Sequence, residues 1–208
     1  RAKLILDGEV EGAEALDSAR IVVEQAARMT ALIRQLLDFA RPRALHKAPV
    51  EVATLSRRVC ELVATIARKG NVTLAPPVDG QPLLVAADDG QLTQVMTNLV
   101  VNAIQASSAG GTVTIRAHVV EQAPPPYVGS TERTWMAIEV VDTGAGIDEA
   151  ARARVFEPFY TTKAVGDGTG LGLSVSWGIV REHGGWIDVA SQPGHGSTFT
   201  IYLPRGDV

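Results

Sequence analysis

Residues 134–147 read Thr-Trp-Met-Ala-Ile-Glu-Val-Val-Asp-Thr-Gly-Ala-Gly-Ile. The apolar and β-branched run up to Val141 predicts a strand. It ends in Asp142, and Gly144, Gly146 and Ile147 follow. An acidic residue at a strand end, before glycines that let a ligand come close to the backbone, can accept a hydrogen bond from an exocyclic amine. Such a carboxylate selects adenine over guanine. A glycine-rich turn that only closes a strand has the same spelling, so this DxGxG carries little by itself.

Downstream lies Phe156-Glu-Pro-Phe159-Tyr-Thr-Thr-Lys163, then Gly166-Asp-Gly168-Thr169-Gly170-Leu171-Gly172-Leu173. The glycines run straight into a predicted helix over about 172–183. Clustered backbone N–H groups and the positive end of a helix suit a phosphate. The run is neither a Walker A loop nor a dinucleotide fingerprint, and a glycine hinge would also fit it. Lys163 is placed to reach a terminal phosphate as a point charge. Aromatics beside a Gly-rich segment could anchor a mobile lid; an aromatic surface staple is the alternative.

Upstream, Asn98 and Asn102 are four apart on a predicted helix over about 89–107 and share one face. Asparagine is a poor helix-interior residue unless its amide has a partner. Two amide oxygens side by side can help to hold Mg²⁺, a hard ion that prefers oxygen. Buried amides satisfying nearby backbone are the other reading.

Around these motifs the sequence predicts a helix over about 51–69 with Leu55, Val59, Leu62, Val63 and Ile66 inward. Short strands VTLA and LLVAA follow, separated by PPVDGQ. TVTIRAHVV and TWMAIEVV read as paired strands around a flexible, Pro-rich loop (EQAPPPYVGSTER), and a short helix is expected near 148–155. WIDVAS and TFTIYLP close the chain. At the other end, apolar residues from Ile21 to Ala40 recur at helical spacing and predict one amphipathic helix over about 12–41, ended by Pro42. Residues 42–50 read as a linker.

The 208 residues carry 46% hydrophobic and 20% charged residues, which excludes a disordered chain. A net charge of -4 makes nucleic acid a poor partner. One cysteine, Cys60, cannot staple the fold. No apolar run approaches the roughly 20 residues of a bilayer span. The start at Arg1 suggests a fragment of a longer protein.

Paired asparagines, DxGxG, FxPF, GxGxGL and a final GHGSTFTIYLP occur here in one order. In that combination the chain, from about residue 50 to 205, resembles the ATP-binding catalytic domain of bacterial sensor histidine kinases, within the superfamily of gyrase, heat-shock chaperone, histidine kinase and mismatch-repair ATPases. FYTTK and NAIQA resemble the nitrogen-regulation branch. The helix at 12–41 resembles the second helix of the dimerisation and phosphotransfer hairpin that precedes such domains.

The resemblance implies an α+β fold of the Bergerat type: a two-layer α/β sandwich with a mixed sheet of about five strands and three helices on one face. It implies a partial dimerisation region over 1–45 and a catalytic domain over 46–208. ATP and Mg²⁺ are the implied cofactors. Asn102 would bind the metal, and Asn98 would support the phosphates and, with Lys163, serve catalysis. Asp142 would hold the adenine amine, with Gly144, Gly146 and Ile147 around the base. Gly168, Thr169, Gly170, Leu171, Gly172 and Leu173 would line the phosphate side. Thr198 would help to hold adenine, and Phe156 and Phe159 would anchor the lid. Relatives often carry Lys or Arg where this chain has Gln105, so Lys163 is expected to supply that charge. Hydrolysing relatives carry Glu where Asn98 stands, and Asn cannot act as a base.

The acceptor in such kinases is a His followed by an acidic residue. None of His46, His118, His183 and His195 has that context. The expectation is therefore a cytoplasmic kinase fragment that does not phosphorylate itself, from a parent that is homodimeric, serves a response regulator receiver domain and is either membrane-anchored or not. An ATPase of the same superfamily, or a nucleotide-sensing scaffold without transferase activity, are the alternatives.

Overall fold

The computed structural model describes residues 2–6, 12–23, 25–26, 45–77, 82–163 and 169–205. The chain divides into two units, Arg1–Ala44 and Leu45–Val208. In the first, Ala2–Leu6 is a helix and residues 12–23 and 25–26 are helical. Arg20 and Asp17 pair there across one turn at 2.7 Å. The expected apolar stripe beyond residue 26 lies outside the described residues.

The second unit begins with strand β1 (Ala48–Glu51), where the sequence suggested only linker. Pro49 is accommodated because β1 belongs to a two-stranded sheet, paired antiparallel with β3 (Leu84–Ala87). Helix α1 (Val52–Gly70) starts where the Glu51 carboxylate accepts the N–H groups of Ala53 and Thr54, at 3.0 and 2.6 Å. It stops at Asn71, which takes the left-handed conformation at φ 51°. Its buried face is Val52, Leu55, Ser56, Val59, Val63 and Ala67. Leu62 and Ile66, expected inward, are 62% and 42% exposed. They sit beside the stripe rather than on it, three or four residues from its members but rotated toward solvent.

β2 (Thr73–Ala75) does not form a hairpin with β3 despite the turn-like residues between them. It runs parallel to β4 (Thr112–Glu121), at one edge of a five-stranded mixed sheet. The order is β2-β4-β5-β7-β6, with β5 (Thr134–Asp142), β6 (Trp186–Ser191) and β7 (Ser197–Pro204), and every pairing but the first is antiparallel.

Alternation assigns the faces. Val113, Ile115, Met136, Ile138, Val140, Ile187, Val189, Phe199, Ile201 and Leu203 point to one side. There they meet α1, α2 (Asp89–Ala106) and α4 (Gly172–Glu182), which supply Leu55, Val59, Val95, Met96, Leu99, Ala103 and Val180. Short α3 (Glu149–Arg152) lies between β5 and α4 in the chain. On the opposite face Trp135 is fully buried, edge-on to Trp186, which stacks on Tyr202 with ring centroids 4.4 Å apart. Burying each such ring contributes about 1.5–3 kcal/mol.

The loop expected to be flexible is tied down. Trp135 Nε1 and the Gln122 backbone N–H hold its two ends, and Tyr127 lies under the Arg181 guanidinium.

Candidate nucleotide site

Three pieces of chain meet at α2. The first is the turn after β5. Asp142 ends that strand on its inward face and is 3% exposed. Its Oδ1 accepts the N–H of Gly144 at 2.8 Å and of Ser197 at 3.2 Å. Burial raises the Asp142 pKa above the ordinary carboxylate value, partly opposed by those bonds and by the Ser197 hydroxyl.

The turn is stapled on both sides. Ala145 N–H donates to the Ala106 carbonyl at the end of α2, and Gly194 N–H donates to the Ala145 carbonyl. Ile147 N–H donates to Ser191 Oγ at 2.8 Å. A side chain at Gly144 would strike the Ala106 carbonyl, and one at Gly146 (φ +71°) the Gln192 carbonyl. These glycines are required first because protein backbone passes there.

The second piece is α2 itself. Its N-cap is Asp88, whose carboxylate accepts Gln91 N–H at 3.0 Å. Asn98 Nδ2 donates to the Gly172 carbonyl and to Ser176 Oγ, both at 3.3 Å, which fastens α2 to the first turn of α4. That commits the amide nitrogen, and its oxygen accepts no hydrogen bond among the described residues. Asn102 Oδ1 accepts from Lys163 Nζ at 3.1 Å, and Lys163 Nζ also donates to Gln105 Oε1.

The third piece runs from Phe156 to α4. Phe156 packs on the core. Phe159 does not anchor through its ring, which is 68% exposed. Its backbone holds the segment instead, donating from N–H to the Gly170 carbonyl at 2.9 Å. Phe159 adopts φ 66° and Gly170 φ 65°. A side chain at Gly170 would meet the Phe159 backbone 2.4 Å away. Leu171 is buried and Leu173 packs on the core, so both hold α4 in place rather than face a ligand. Thr169 Oγ1 accepts Leu171 N–H at 3.2 Å. Gly168 lies outside the described residues.

One expectation is corrected by register. Thr198 pairs with Val141, one step out of phase with Asp142, so its side chain is on the sheet face away from the helices. Ser197 stands opposite Asp142 and supplies both its N–H and its hydroxyl. The inward alternation of Phe199, Ile201 and Leu203 already placed Ser197 on the Asp142 side.

His183, at the end of α4, is buried. Nε2 accepts the Asp88 N–H at 3.0 Å, so Nδ1 carries the proton facing the Ile179 carbonyl at 2.8 Å. Burial lowers its pKa. It ties the end of α4 to the start of α2.

As a magnesium ligand, Asn102 Oδ1 has the right chemistry: a hard amide oxygen that already receives a cation, the Lys163 ammonium. Among the described residues no group of three or more His, Cys, Asp or Glu could hold a metal. An ion here would rest on this oxygen, water and ligand phosphates. No helix among the described residues is long and apolar enough to cross a membrane.

Residues 87–207 match the family model described as histidine kinase-, DNA gyrase B- and HSP90-like ATPase. The sensor kinase CckA of Brucella abortus is 40% identical over 88% of this chain and 20% of its own length. The sensor histidine kinase ZraS of Escherichia coli K12 is 36% identical over 98% of the chain and 41% of its own length. The chain thus spans about one-fifth and about two-fifths of these two relatives' own lengths. Among solved structures, full-length ShkA in complex with AMPPNP superposes with a TM-score of 0.75 at 28% identity, over 94% of this chain and 40% of that one. The catalytic domain of histidine kinase ThkA gives 0.62 at 31% identity, over 76% of this chain and 95% of that one. ThkA in complex with the response regulator protein TrrA gives 0.71 at 25% identity, over 98% of this chain and 57% of that one.

Proposed function

Because the chain belongs to the family of histidine kinase-, DNA gyrase B- and HSP90-like ATPases, as the ATP-binding domain of a sensor histidine kinase, we propose that it binds Mg–ATP and presents the γ-phosphate to a histidine of a dimerisation hairpin. The observation that carries this reading is the buried Asp142 carboxylate, fixed by two backbone N–H groups at the end of the helix that bears Asn98 and Asn102.

The order of groups along α2 supports one orientation. Ala106, beside the Asp142 turn, lies about 12 Å along the helix from Asn98. The base belongs at the Asp142 end, where the carboxylate receives the adenine amine with Ser197 beside it. The phosphates belong at the Asn98–Asn102 end, facing the first turn of α4. There the Asn98 oxygen, the Lys163 ammonium and the α4 N-terminus position and neutralise them. Asn102 would hold Mg²⁺, which supplies charge neutralisation of the bridging phosphate oxygens when bound.

Transfer requires positioning rather than a base in this domain. Asn98 cannot deprotonate water, so the γ-phosphate is kept for the acceptor. That argues against the ATPase alternative. The acceptor in this reading is supplied by another segment, since His183 has both ring nitrogens engaged in the core and none of His46, His118 and His195 is followed by an acidic residue. A receiver domain of a response regulator is the proposed final acceptor, by likeness to ThkA with TrrA.

The test is transfer of labelled phosphate from γ-labelled ATP to a separately produced dimerisation hairpin of a related kinase. Label appearing on a hairpin histidine, with little free phosphate released, is the expected result. Steady phosphate release without labelled hairpin would favour the ATPase, and nucleotide binding with neither would favour the scaffold.

A further inference from the structure

Helices α2 and α4 run antiparallel and are clasped at both ends. Asn98 Nδ2 reaches the Gly172 carbonyl and Ser176 Oγ in the first turns of α4. About 15 Å back along α2, the Asp88 N–H donates to Nε2 of His183, which stands just past the end of α4, at 3.0 Å. Among the described residues no other hydrogen bond joins the two helices, and apolar contact between them has no preferred direction. α4 is also a poor helix by composition. Gly172, Ser174, Ser176 and Gly178 are four of its 11 residues, and Leu171 at its N-cap makes no side-chain cap. Where its first turn stands therefore depends on the clasps.

The Asp88 N–H has a second claimant. Asp88 is the N-cap of α2, and Gln91 is the third residue of that helix. In a capping box a glutamine at this position returns its side chain to accept the N-cap N–H. Here His183 takes the N–H instead, and Gln91 Oε1 is buried with no hydrogen-bond partner among the described residues. The start of α2 is thus built for two arrangements: closed on its own glutamine, or closed on the imidazole at the end of α4.

Resting on the nucleotide reading above, we propose that His183 is a positioning residue for the phosphates. By taking the Asp88 N–H from Gln91 it fixes the far end of α4, and through it the first turn that faces the phosphates. Without the imidazole, Gln91 closes on Asp88, α2 keeps a complete cap, and α4 is left with one clasp. His183 itself touches no ligand. It governs the grip on phosphate and not the seat of the base, which Asp142 and Ser197 form on other elements.

Two variants separate the clasp from packing. His183→Gln carries an amide oxygen about as far out as Nε2 and can still accept the Asp88 N–H. His183→Asn is one methylene shorter, so its amide reaches the Ile179 carbonyl but not Asp88. NMR-monitored titrations with adenosine and, in the presence of Mg²⁺, with a non-hydrolysable ATP analogue read base and phosphate binding apart. Adenosine affinity should be the same in wild type and both variants. Affinity for the analogue should stay near wild type in His183→Gln and fall about fivefold or more in His183→Asn, on the scale of one hydrogen bond. Coupling is reciprocal, so the wild-type chain supplies a second measurement, which decides should His183→Asn not fold. The analogue should slow hydrogen exchange at the Asp88 amide more than adenosine does at equal saturation.

Unchanged analogue affinity in His183→Asn, an equal fall in both variants, or a fall for adenosine and analogue together overturns the proposal. So does Asp88 exchange that responds alike to the two ligands. In each case wild-type binding leaves the nucleotide reading standing. If the wild-type chain binds neither ligand, that reading falls and this inference falls with it.

Discussion

Replacing Asp142 by Asn should separate stability from nucleotide binding. The wild-type carboxylate is buried, and burial raises its pKa. Its folded form therefore holds a proton more readily than the unfolded chain. From the unfolded value upward, stability falls as pH rises through the folded pKa, and at pH 7 the buried charge weighs against folding. Asn has nearly the same shape. Its Oδ1 can keep the bonds from Gly144 and Ser197 N–H, and the Ser197 hydroxyl can accept from its Nδ2. The nucleotide-free variant should melt at or above the wild-type temperature.

Binding behaves oppositely, because an amide N–H₂ now faces the adenine amine. Loss of a hydrogen bond to a charged group, about 1.5–3 kcal/mol, weakens affinity roughly 10- to 150-fold. At nucleotide near 100 times the wild-type Kd, binding stabilises wild type by about 2.7 kcal/mol, or about 5–11 °C for a chain this size. The variant at the same concentration should retain about 0.3–1.4 kcal/mol, or roughly 1–6 °C. Scanning calorimetry with and without ATP and Mg²⁺ reads both numbers. A variant that unfolds several degrees earlier without nucleotide, or one whose nucleotide shift equals wild type, refutes the reasoning.

Ser197→Ala should weaken nucleotide binding severalfold while Thr198→Val leaves it within error, a contrast that titration of the two variants checks and that reverses if Thr198 holds the base. Gly170→Ala forces an L-residue into the left-handed region at about 1–2 kcal/mol and also crowds Phe159. Urea unfolding should register at least that loss, and a neutral result would show that the Phe159–Gly170 contact is absent. His183 is neutral and buried with its pKa lowered, so the unfolded chain binds the extra proton. Its contribution is complete above the unfolded value near about 6.5 and is lost as pH falls from there through the folded pKa. Asp88, whose pKa is lowered chiefly by the Gln91 N–H, acts only at lower pH. Urea midpoints at pH 7.5 and 5.5, compared in the Asp142→Asn background so that this carboxylate does not titrate against the imidazole, should differ with His183 present and converge in His183→Gln; equal midpoints with His183 present would count against the buried neutral tautomer.

What could be read from sequence divides along physical lines. Long periodic segments declare themselves: α2 was expected over about 89–107 and spans Asp89–Ala106. The alternation of β5 and β7 was legible too, and it contained the answer to which of Ser197 and Thr198 faces Asp142. β1 was not legible, because four residues containing a proline look like linker until β3 supplies a partner. β2 and β3 were legible as strands, but not their partners, β4 and β1, which the sequence between them does not indicate. Leu62 and Ile66 were assigned inward because helical periodicity fixes a stripe only to within one position. At the site, the glycine pattern was visible, but its reason was not: the backbone of Ala106, Gln192 and Phe159 approaches from elsewhere in the chain. The Lys163 contacts join residues about 60 positions apart, and only the folded chain places that ammonium on particular oxygens.

The central claim is that the cleft beside α2 selects adenine nucleotide through Asp142. Calorimetric titration of the wild-type chain with ATP and, in parallel, with GTP, both with Mg²⁺, tests it most directly. The account predicts saturable one-to-one binding of ATP and binding of GTP weaker by about a hundredfold or more, since guanine offers the carboxylate a carbonyl oxygen where adenine offers an amine. Equal affinity for the two, or no heat with ATP, would contradict it.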